Sequence, residues 1–116
     1  MSINIIFNDT AANGPSSFDG LKRAINTTTA IVAEAAGIEG DIRITDIDYR
    51  DDWSDLEDQN HVYTFVGTSQ DGHHFDGSVN MTFTERKGWF CFDSLLNEPD
   101  RAEFFQPMID QFKGRG

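Results

Sequence analysis

The sequence predicts an α+β fold: an antiparallel β-sheet of four to five strands with two helices, in the order β-α-β-β-β-β-α. Residues 73–85 alternate between apolar and polar side chains directly after an Asp71-Gly72 turn signal. Two other segments, 17–36 and 98–113, repeat apolar residues at helical spacing. A sheet with one apolar face and helices with one apolar stripe bury these surfaces by packing together.

The first strand and the first helix have clear sequence signals. Ile3, Ile5 and Phe7 alternate as in a strand, and residues 13–15 then form a break. Ser16 is of the residue type that caps helix N-termini, and Gly37 is of the type that ends helices. The stripe between them comprises Leu21, Ala24, Ile25, Thr28, Ile31, Val32 and Ala35. We therefore expect a helix at about 17–36.

Residues 41–49 are predicted to form the next strand, with a bulge near Thr45-Asp46 where the apolar phase shifts by one residue. Residues 50–60 are polar and are predicted to form a loop. Trp53 and Leu56, three residues apart, are expected to lie on a single helical turn in that loop.

The strongest local signal is a hairpin. Asp71-Gly72 suits a two-residue type I′ turn between strands 61–69 and 73–85, which places Thr64 opposite Val79. In this register Tyr63 and Phe65 lie on the polar face of the sheet. In a last strand, 89–94, Phe90 and Phe92 are expected inside, which leaves Trp89 and Cys91 beside Tyr63 and Phe65.

The last helix, at about 98–113, is expected to be capped by Asn97 and kinked or split by Pro107, which lacks a backbone N–H. Its apolar stripe comprises Phe104, Phe105, Met108, Ile109 and Phe112. This element order, a helix followed by a meander, resembles the cystatin-like and nuclear-transport-factor-like architectures. The resemblance is one of element order alone and implies no site residues.

The length of 116 residues fits a single domain, 1–116. No apolar run is long enough to span a bilayer, the N-terminus lacks the features of a signal peptide, and Cys91 is the only cysteine. We therefore expect a protein of a reducing, cytoplasmic compartment. Twenty acidic residues against nine basic ones give a net charge of −11, which disfavours binding to nucleic acids and anionic membranes and favours basic partners.

The acidic residues are densest in 41–60. Eight lie there: Asp41, Asp46, Asp48, Asp51, Asp52, Asp55, Glu57 and Asp58. They could form a solvated strand edge that discourages aggregation. They could also form a calcium loop starting at Asp46, but Arg50 and Asp51 occupy the fifth and sixth positions, where a ligand and glycine are needed. The third interpretation is a surface that occupies the phosphate subsites of a nucleic-acid-handling protein.

The histidines and the cysteine predict no chemistry. His74 and Asp76 share a strand face, but His61 would have to complete a metal site with them, and His73 points away. Cys91 lies among aromatic residues without an evident base, which is typical of a packing cysteine. No phosphate-binding glycine loop or hydrolase motif is present in the sequence, so we expect no catalytic, cofactor or metal site.

Aromatic side chains on the predicted polar face need an explanation. Tyr63, Phe65 and Trp89 form either a second core layer under the last helix or an interface with a partner. The residues predicted to bind a partner are Asp46, Asp48, Asp51, Asp52, Trp53, Asp55, Glu57, Asp58, Tyr63, Phe65 and Trp89.

The predicted function is therefore that of a small acidic non-enzymatic binding protein. It would inhibit a basic nucleic-acid-handling protein, as phage anti-defence proteins of the anti-CRISPR type and toxin-immunity proteins do. One alternative is a small-molecule pocket in the curl of the sheet, with or without enzymatic activity. Another is a homo-oligomer in which Tyr63, Phe65 and Trp89 meet their copies.

Overall fold

The computed structural model describes residues 3–8, 14–55, 60–91 and 98–113. The elements are β1 (Ile3–Phe7), α1 (Phe18–Ala36), β2 (Gly40–Asp55), β3 (Asn60–Ser69), β4 (His74–Thr84), β5 (Gly88–Cys91) and α2 (Glu98–Lys113). The predicted α+β class and element order are confirmed.

The five strands form one sheet in the order β1-β2-β3-β4-β5. β1 pairs with β2 in parallel, whereas every later pair is antiparallel. The sheet is therefore mixed rather than wholly antiparallel as predicted, because α1 crosses over between β1 and β2 and returns the chain in its original direction. Side chains of α1 and α2 share one core with the sheet, so both helices cover the same face.

Helix α1 has a recognisable capping residue at each end. Ser17, one residue after the predicted Ser16, is the N-cap, and its hydroxyl accepts a hydrogen bond of 3.2 Å from the Gly20 N–H. Gly37 ends the helix with a left-handed φ of 75°, as predicted. The predicted stripe is buried except at its margin, where Ile31 and Ala35 are exposed.

The predicted register of the β3–β4 hairpin is wrong by one residue: Thr64 pairs with Ser78, and Tyr63 pairs with Val79. The turn has three residues rather than two, since the Ser69 N–H donates to the His73 carbonyl and the Gly72 N–H donates to the Ser69 carbonyl. Gly72 has a φ of 96°, the left-handed conformation that ends a three-residue turn of this kind. A shift of one residue moves every β3 side chain to the opposite face.

Tyr63 and Phe65 therefore lie in the core, each 1% exposed, and their predicted placement on the polar face is wrong. Phe65 lies across from Gly77, where an added Cβ would be 2.5 Å from Phe65 Cζ. Trp89 and Cys91 share the core face with them, as β5 pairs Cys91 with the buried Met81. The prediction that Trp89 and Cys91 accompany Tyr63 is thus confirmed. The predicted inward position of Phe90 is wrong, because Phe90 alternates with these residues and pairs with Thr82, and Phe92 lies outside the described residues.

Strand β2 is longer than predicted. The bulge near Asp46 is confirmed by a register shift between Thr45 and Asp48 and by a left-handed φ of 54° at Asp46. Residues 50–55 continue the strand, so the predicted loop is wrong over this range. The predicted helical turn is also wrong at Trp53, which lies in the strand, and Leu56 lies outside the described residues.

Helix α2 runs as one element through Pro107, so the predicted split does not occur. Phe105, Met108 and Phe112 are buried against the core, as the predicted stripe requires. The Phe112 ring packs on the Phe75 ring of β4 with a centroid distance of 4.6 Å. The predicted cap, Asn97, lies outside the described residues.

Candidate functional site

The face of the sheet turned away from α1 and α2, hereafter the outer face, carries most of the polar strand residues. Because cross-strand partners point to the same side, pairing brings Asp48 of β2 beside Thr64 of β3. Thr64 in turn pairs with Ser78 of β4, and Val66 pairs with Asp76. Carboxylates from two separate strands, Asp48 and Asp76, therefore belong to one surface.

A second irregularity in β2 projects three residues from this surface. Between the pairs Arg50–Val62 and Asp55–Asn60, four β2 residues face a single β3 residue. The Ser54 hydroxyl bridges this gap, since it accepts from the Val62 N–H at 3.0 Å and donates to the Arg50 carbonyl at 2.7 Å. Residues 51–53, hereafter the acidic bulge, are all exposed. A side-chain hydroxyl thus replaces the ladder hydrogen bonds that a regular strand would make.

Trp53, in the acidic bulge, is 56% exposed and is the most exposed large hydrophobic residue in the described part of the chain. The Arg50 guanidinium lies 5.3 Å from the centroid of its ring, within the range of a cation–π interaction. Arg50 Nε also donates a hydrogen bond of 3.1 Å to Thr64 Oγ1. Arg50 therefore links the indole of Trp53 to the centre of the outer face.

Trp53 forms one wall of a shallow hollow of about 300 Å³ on the outer face. The hollow is lined by Asp46, Asp48, Arg50, Trp53, Thr64, Phe65, Val66, Asp76, Gly77 and Ser78. Three carboxylates and two hydroxyls lie around a single guanidinium, so the lining is acidic and rich in hydrogen-bond acceptors. A cationic side chain is the chemical group that fits it.

The described residues assemble neither of the metal sites weighed from the sequence. Within the described ranges, no group of three or more histidine, cysteine or acidic residues is arranged to hold a metal ion. His74 and Asp76 are both exposed on one side of β4, as predicted, but His61 lies on the core side of β3. Glu57, the last position of the calcium loop, lies outside the described residues.

His73 takes part in the hairpin turn instead. Its Nδ1 lies 3.0 Å from Asp71 Oδ1, and the Ser69 hydroxyl donates to the same carboxylate oxygen. The hydrogen bonds from Ser69 and His73 lower the pKa of Asp71 to about 2. This network stabilises the three-residue turn, so the perturbed acid has a structural role.

Strands β3 and β5 carry His61 and Cys91, respectively. His61 pairs with Met81, and Met81 pairs with Cys91, so strand β4 lies between them. The ring of His61 packs edge-on against Trp89 at a centroid distance of 5.3 Å, and its Nδ1 lies 3.0 Å from the Tyr49 hydroxyl. Burial lowers the pKa of His61, which favours the neutral imidazole.

The structure thus separates the residues predicted to bind a partner into three groups. Asp46, Asp48, Asp51, Asp52, Trp53 and Asp55 are exposed on or beside the outer face. Tyr63 and Phe65 are buried in the core, and the partly buried Trp89 packs against it. Glu57 and Asp58 lie outside the described residues. The predicted oligomer through the three aromatics is wrong for Tyr63 and Phe65, because buried rings offer no surface to a copy.

Sequence reasoning missed the contribution of β3 and β4 to this surface. From the sequence, Asp76 is a candidate metal ligand only, and Thr64 and Ser78 are not among the predicted site residues. The alternation of β4 already places Asp76 and Ser78 on the polar face. Correct pairing of β3 would have brought Thr64 beside them.

Comparisons with protein-family models, curated proteins and solved structures found no significant match to this chain. Among the described helices, none combines the length and apolarity needed to cross a membrane. The function is therefore inferred from the geometry and charge of the chain's own residues.

Proposed function

We propose that this protein is a small, acidic, non-enzymatic binding protein whose outer face docks on a basic, nucleic-acid-handling protein and inhibits it. The proposed biological role is that of a phage anti-defence or toxin-immunity protein. The observation that carries the proposal is Trp53, a largely exposed tryptophan in an acidic surface, linked to that surface by Arg50.

Charge supports a basic partner. Six exposed carboxylates lie on or beside the outer face, namely Asp46, Asp48, Asp51, Asp52, Asp55 and Asp76. The exposed cations of β2 are Arg43 and Arg50, so negative charge dominates this surface. Proteins that bind nucleic acids present clustered lysine and arginine side chains to phosphates, and an acidic surface competes for those side chains. The same field accelerates encounter with the partner.

The hollow supplies a place for an anchoring contact. A lysine or arginine of the partner entering it would meet the carboxylates of Asp48 and Asp76 and the exposed ring of Trp53. Tryptophan is among the residue types that contribute most to interface affinity. The surrounding carboxylates then orient the partner and increase its association rate, which is the usual role of charges at an interface rim.

Comparative affinity capture from the native host tests this proposal. The baits are the wild type, an Asp51→Lys/Asp52→Lys double variant (the bulge-reversal variant), a Trp53→Ala variant and a Glu34→Lys/Glu103→Lys double variant (the helix-reversal variant). Glu34 and Glu103 are exposed on α1 and α2, so the two double variants change the net charge equally.

We expect mass spectrometry to find a basic protein bound to the wild type and the helix-reversal variant. It should be depleted from the bulge-reversal and Trp53→Ala baits. Equal recovery by all four baits would refute docking through the acidic bulge. Equal loss from both double variants would show that net charge alone governs capture.

A further inference from the structure

A second concave surface, unrelated to the outer face, lies between α1 and β5. This α1–β5 cleft has a volume of about 260 Å³. Gly20 closes one end, because a Cβ at this position would lie 3.0 Å from Trp89 Cβ and 3.2 Å from the Trp89 carbonyl oxygen. From there the cleft follows one side of α1 through Arg23, Thr27 and Ile31, which are spaced by one helical turn.

The body of the cleft is apolar. Trp89, Phe90 and Cys91 of β5 line it along the strand, and Ile31 of α1 and Phe105 of α2 contribute further apolar surface. Ile31 is one of the exposed large hydrophobic residues in the described part of the chain, and its exposed side chain belongs to this cleft. The site is small by the standard of ligand pockets, so it fits a small or slender ligand.

The charged residues that line the cleft are both cations. Arg23 on α1 and Lys87 next to β5 are exposed, and no acidic residue is among the described residues that line it. Lys87 Nζ lies 5.3 Å from the centroid of the Phe90 ring, within the range of a cation–π interaction. The Thr27 side chain adds a hydroxyl group.

This local charge is opposite to that of the molecule, whose net charge is −11. At physiological ionic strength, charges more than about 8 Å away are largely screened, so the two cations that line the cleft act on a ligand there more strongly than distant acidic residues do. A cation would be drawn to most other parts of this surface. A preference for an anion in the cleft therefore has to come from the cleft itself.

We propose that the α1–β5 cleft is a binding site for a small carboxylate with an apolar body. The apolar part lies along Trp89 and Phe105, and the carboxylate pairs with Arg23 and Lys87. The site is separate from the outer face, so the proposal does not depend on the docking function proposed above.

Trp89 provides the readout. The chain has two tryptophans, and a Trp53→Phe background leaves Trp89 as the only one. Decanoate is the probe, and decyltrimethylammonium, with a similar chain and the opposite charge, is its comparator. We expect decanoate to change the Trp89 emission saturably and to bind at least about fivefold more tightly than decyltrimethylammonium, as two partly exposed ion pairs allow.

Two double variants isolate the local cations. Arg23→Gln/Lys87→Gln should weaken decanoate binding about fivefold, whereas Arg43→Gln/Lys113→Gln makes the same change in net charge away from the cleft and should leave binding unchanged. A Thr27→Phe variant, which fills the cleft without changing charge, should abolish saturable binding. Circular dichroism on each variant verifies that it is folded.

Three outcomes would overturn the proposal: no saturable response of Trp89 to decanoate, equal affinity for decyltrimethylammonium, or equal decanoate binding by the two cation variants. The bulge-reversal variant should bind decanoate like the wild type. Decanoate binding therefore tests the cleft, and capture of a basic protein tests the outer face, so that either proposal can fail without the other.

Discussion

Replacement of Gly77 by alanine tests the register on which the assignment of the two sheet faces depends. In the structure the new methyl group would lie 2.5 Å from Phe65 Cζ and 2.9 Å from both neighbouring ring carbons. Such overpacking lowers the free energy of unfolding by about 1–3 kcal/mol. The reduced conformational freedom of the unfolded chain raises it by about 0.4–1 kcal/mol. We expect a net destabilisation of about 1–2 kcal/mol, which lowers the Tm by about 4 °C per kcal/mol.

A double-mutant cycle identifies the clash. Phe65→Ala alone should cost about 3–5 kcal/mol, because its ring is buried. In the Phe65→Ala/Gly77→Ala double variant the methyl group has room. The loss of unfolding free energy in this variant should therefore be smaller than the sum of the losses in the two single variants, by about 1–2 kcal/mol. Urea unfolding followed by circular dichroism measures all four proteins.

The matched control pairs Gly77→Ala with Val66→Ala, since Val66 lies next to Phe65 in sequence but pairs with Asp76 on the outer face. The effects of these two substitutions on the free energy of unfolding should add to within about 0.5 kcal/mol. Additivity of Phe65→Ala with Gly77→Ala would refute the register, and with it the placement of Tyr63 and Phe65 in the core.

Three further predictions concern the turn, the acidic bulge and the half-buried histidine. Trp53→Ala should change the free energy of unfolding by less than about 0.5 kcal/mol and should blue-shift the mean tryptophan emission, because the more exposed indole is lost. The lowered pKa of Asp71 stabilises the fold above its ordinary value of 3.8, and that stability is lost as the pH falls toward about 2. The Tm difference between the wild type and Asp71→Asn should therefore shrink over that interval, and a constant difference would contradict the role of Ser69 and His73. The lowered pKa of His61 means that the unfolded state takes up the proton first, so acidification from neutral pH through 6.5 and below destabilises the fold at this site. NMR titration of the His61 ring should give a pKa below 6.5, and a higher value would contradict its burial.

The elements with strong periodicity could be predicted from the sequence. Helix α1 combines a seryl cap, a continuous apolar stripe and Gly37, and each of these acts locally. The bulge at Asp46 was also readable, because the apolar phase of β2 changes there. Local signals of this kind do not depend on which strand lies alongside.

The face assignment of β3 could not be predicted, because Asp71-Gly72 is compatible with two turns. Gly72 can be the second residue of a two-residue turn or the left-handed residue that ends a three-residue turn. Side-chain hydrogen bonds from Ser69 and His73 to Asp71 accompany the longer turn in this chain. The choice changes the register by one residue and so exchanges the core and outer faces of β3.

The extension of β2 through residues 50–55 could not be predicted, because this segment is rich in aspartate. Aspartate is depleted in strands, so an Asp-rich segment predicts a loop. The strand persists because Ser54 bridges Val62 and Arg50 and the charged side chains point to solvent. The acidic residues of the candidate site could thus be identified from the sequence, whereas their assembly with Thr64 and Asp76 required the strand pairing.

The most direct test of the central proposal is the association rate constant with the captured basic partner, measured by stopped flow as a function of ionic strength. If the outer face steers the partner, the wild-type rate constant should fall steeply as salt rises above about 0.15 M, where the Debye length drops below about 8 Å. The bulge-reversal variant should associate more slowly and with a weaker salt dependence, while the helix-reversal variant should resemble the wild type. A rate constant that does not respond to salt, or that is the same for both double variants, would contradict docking through the acidic bulge.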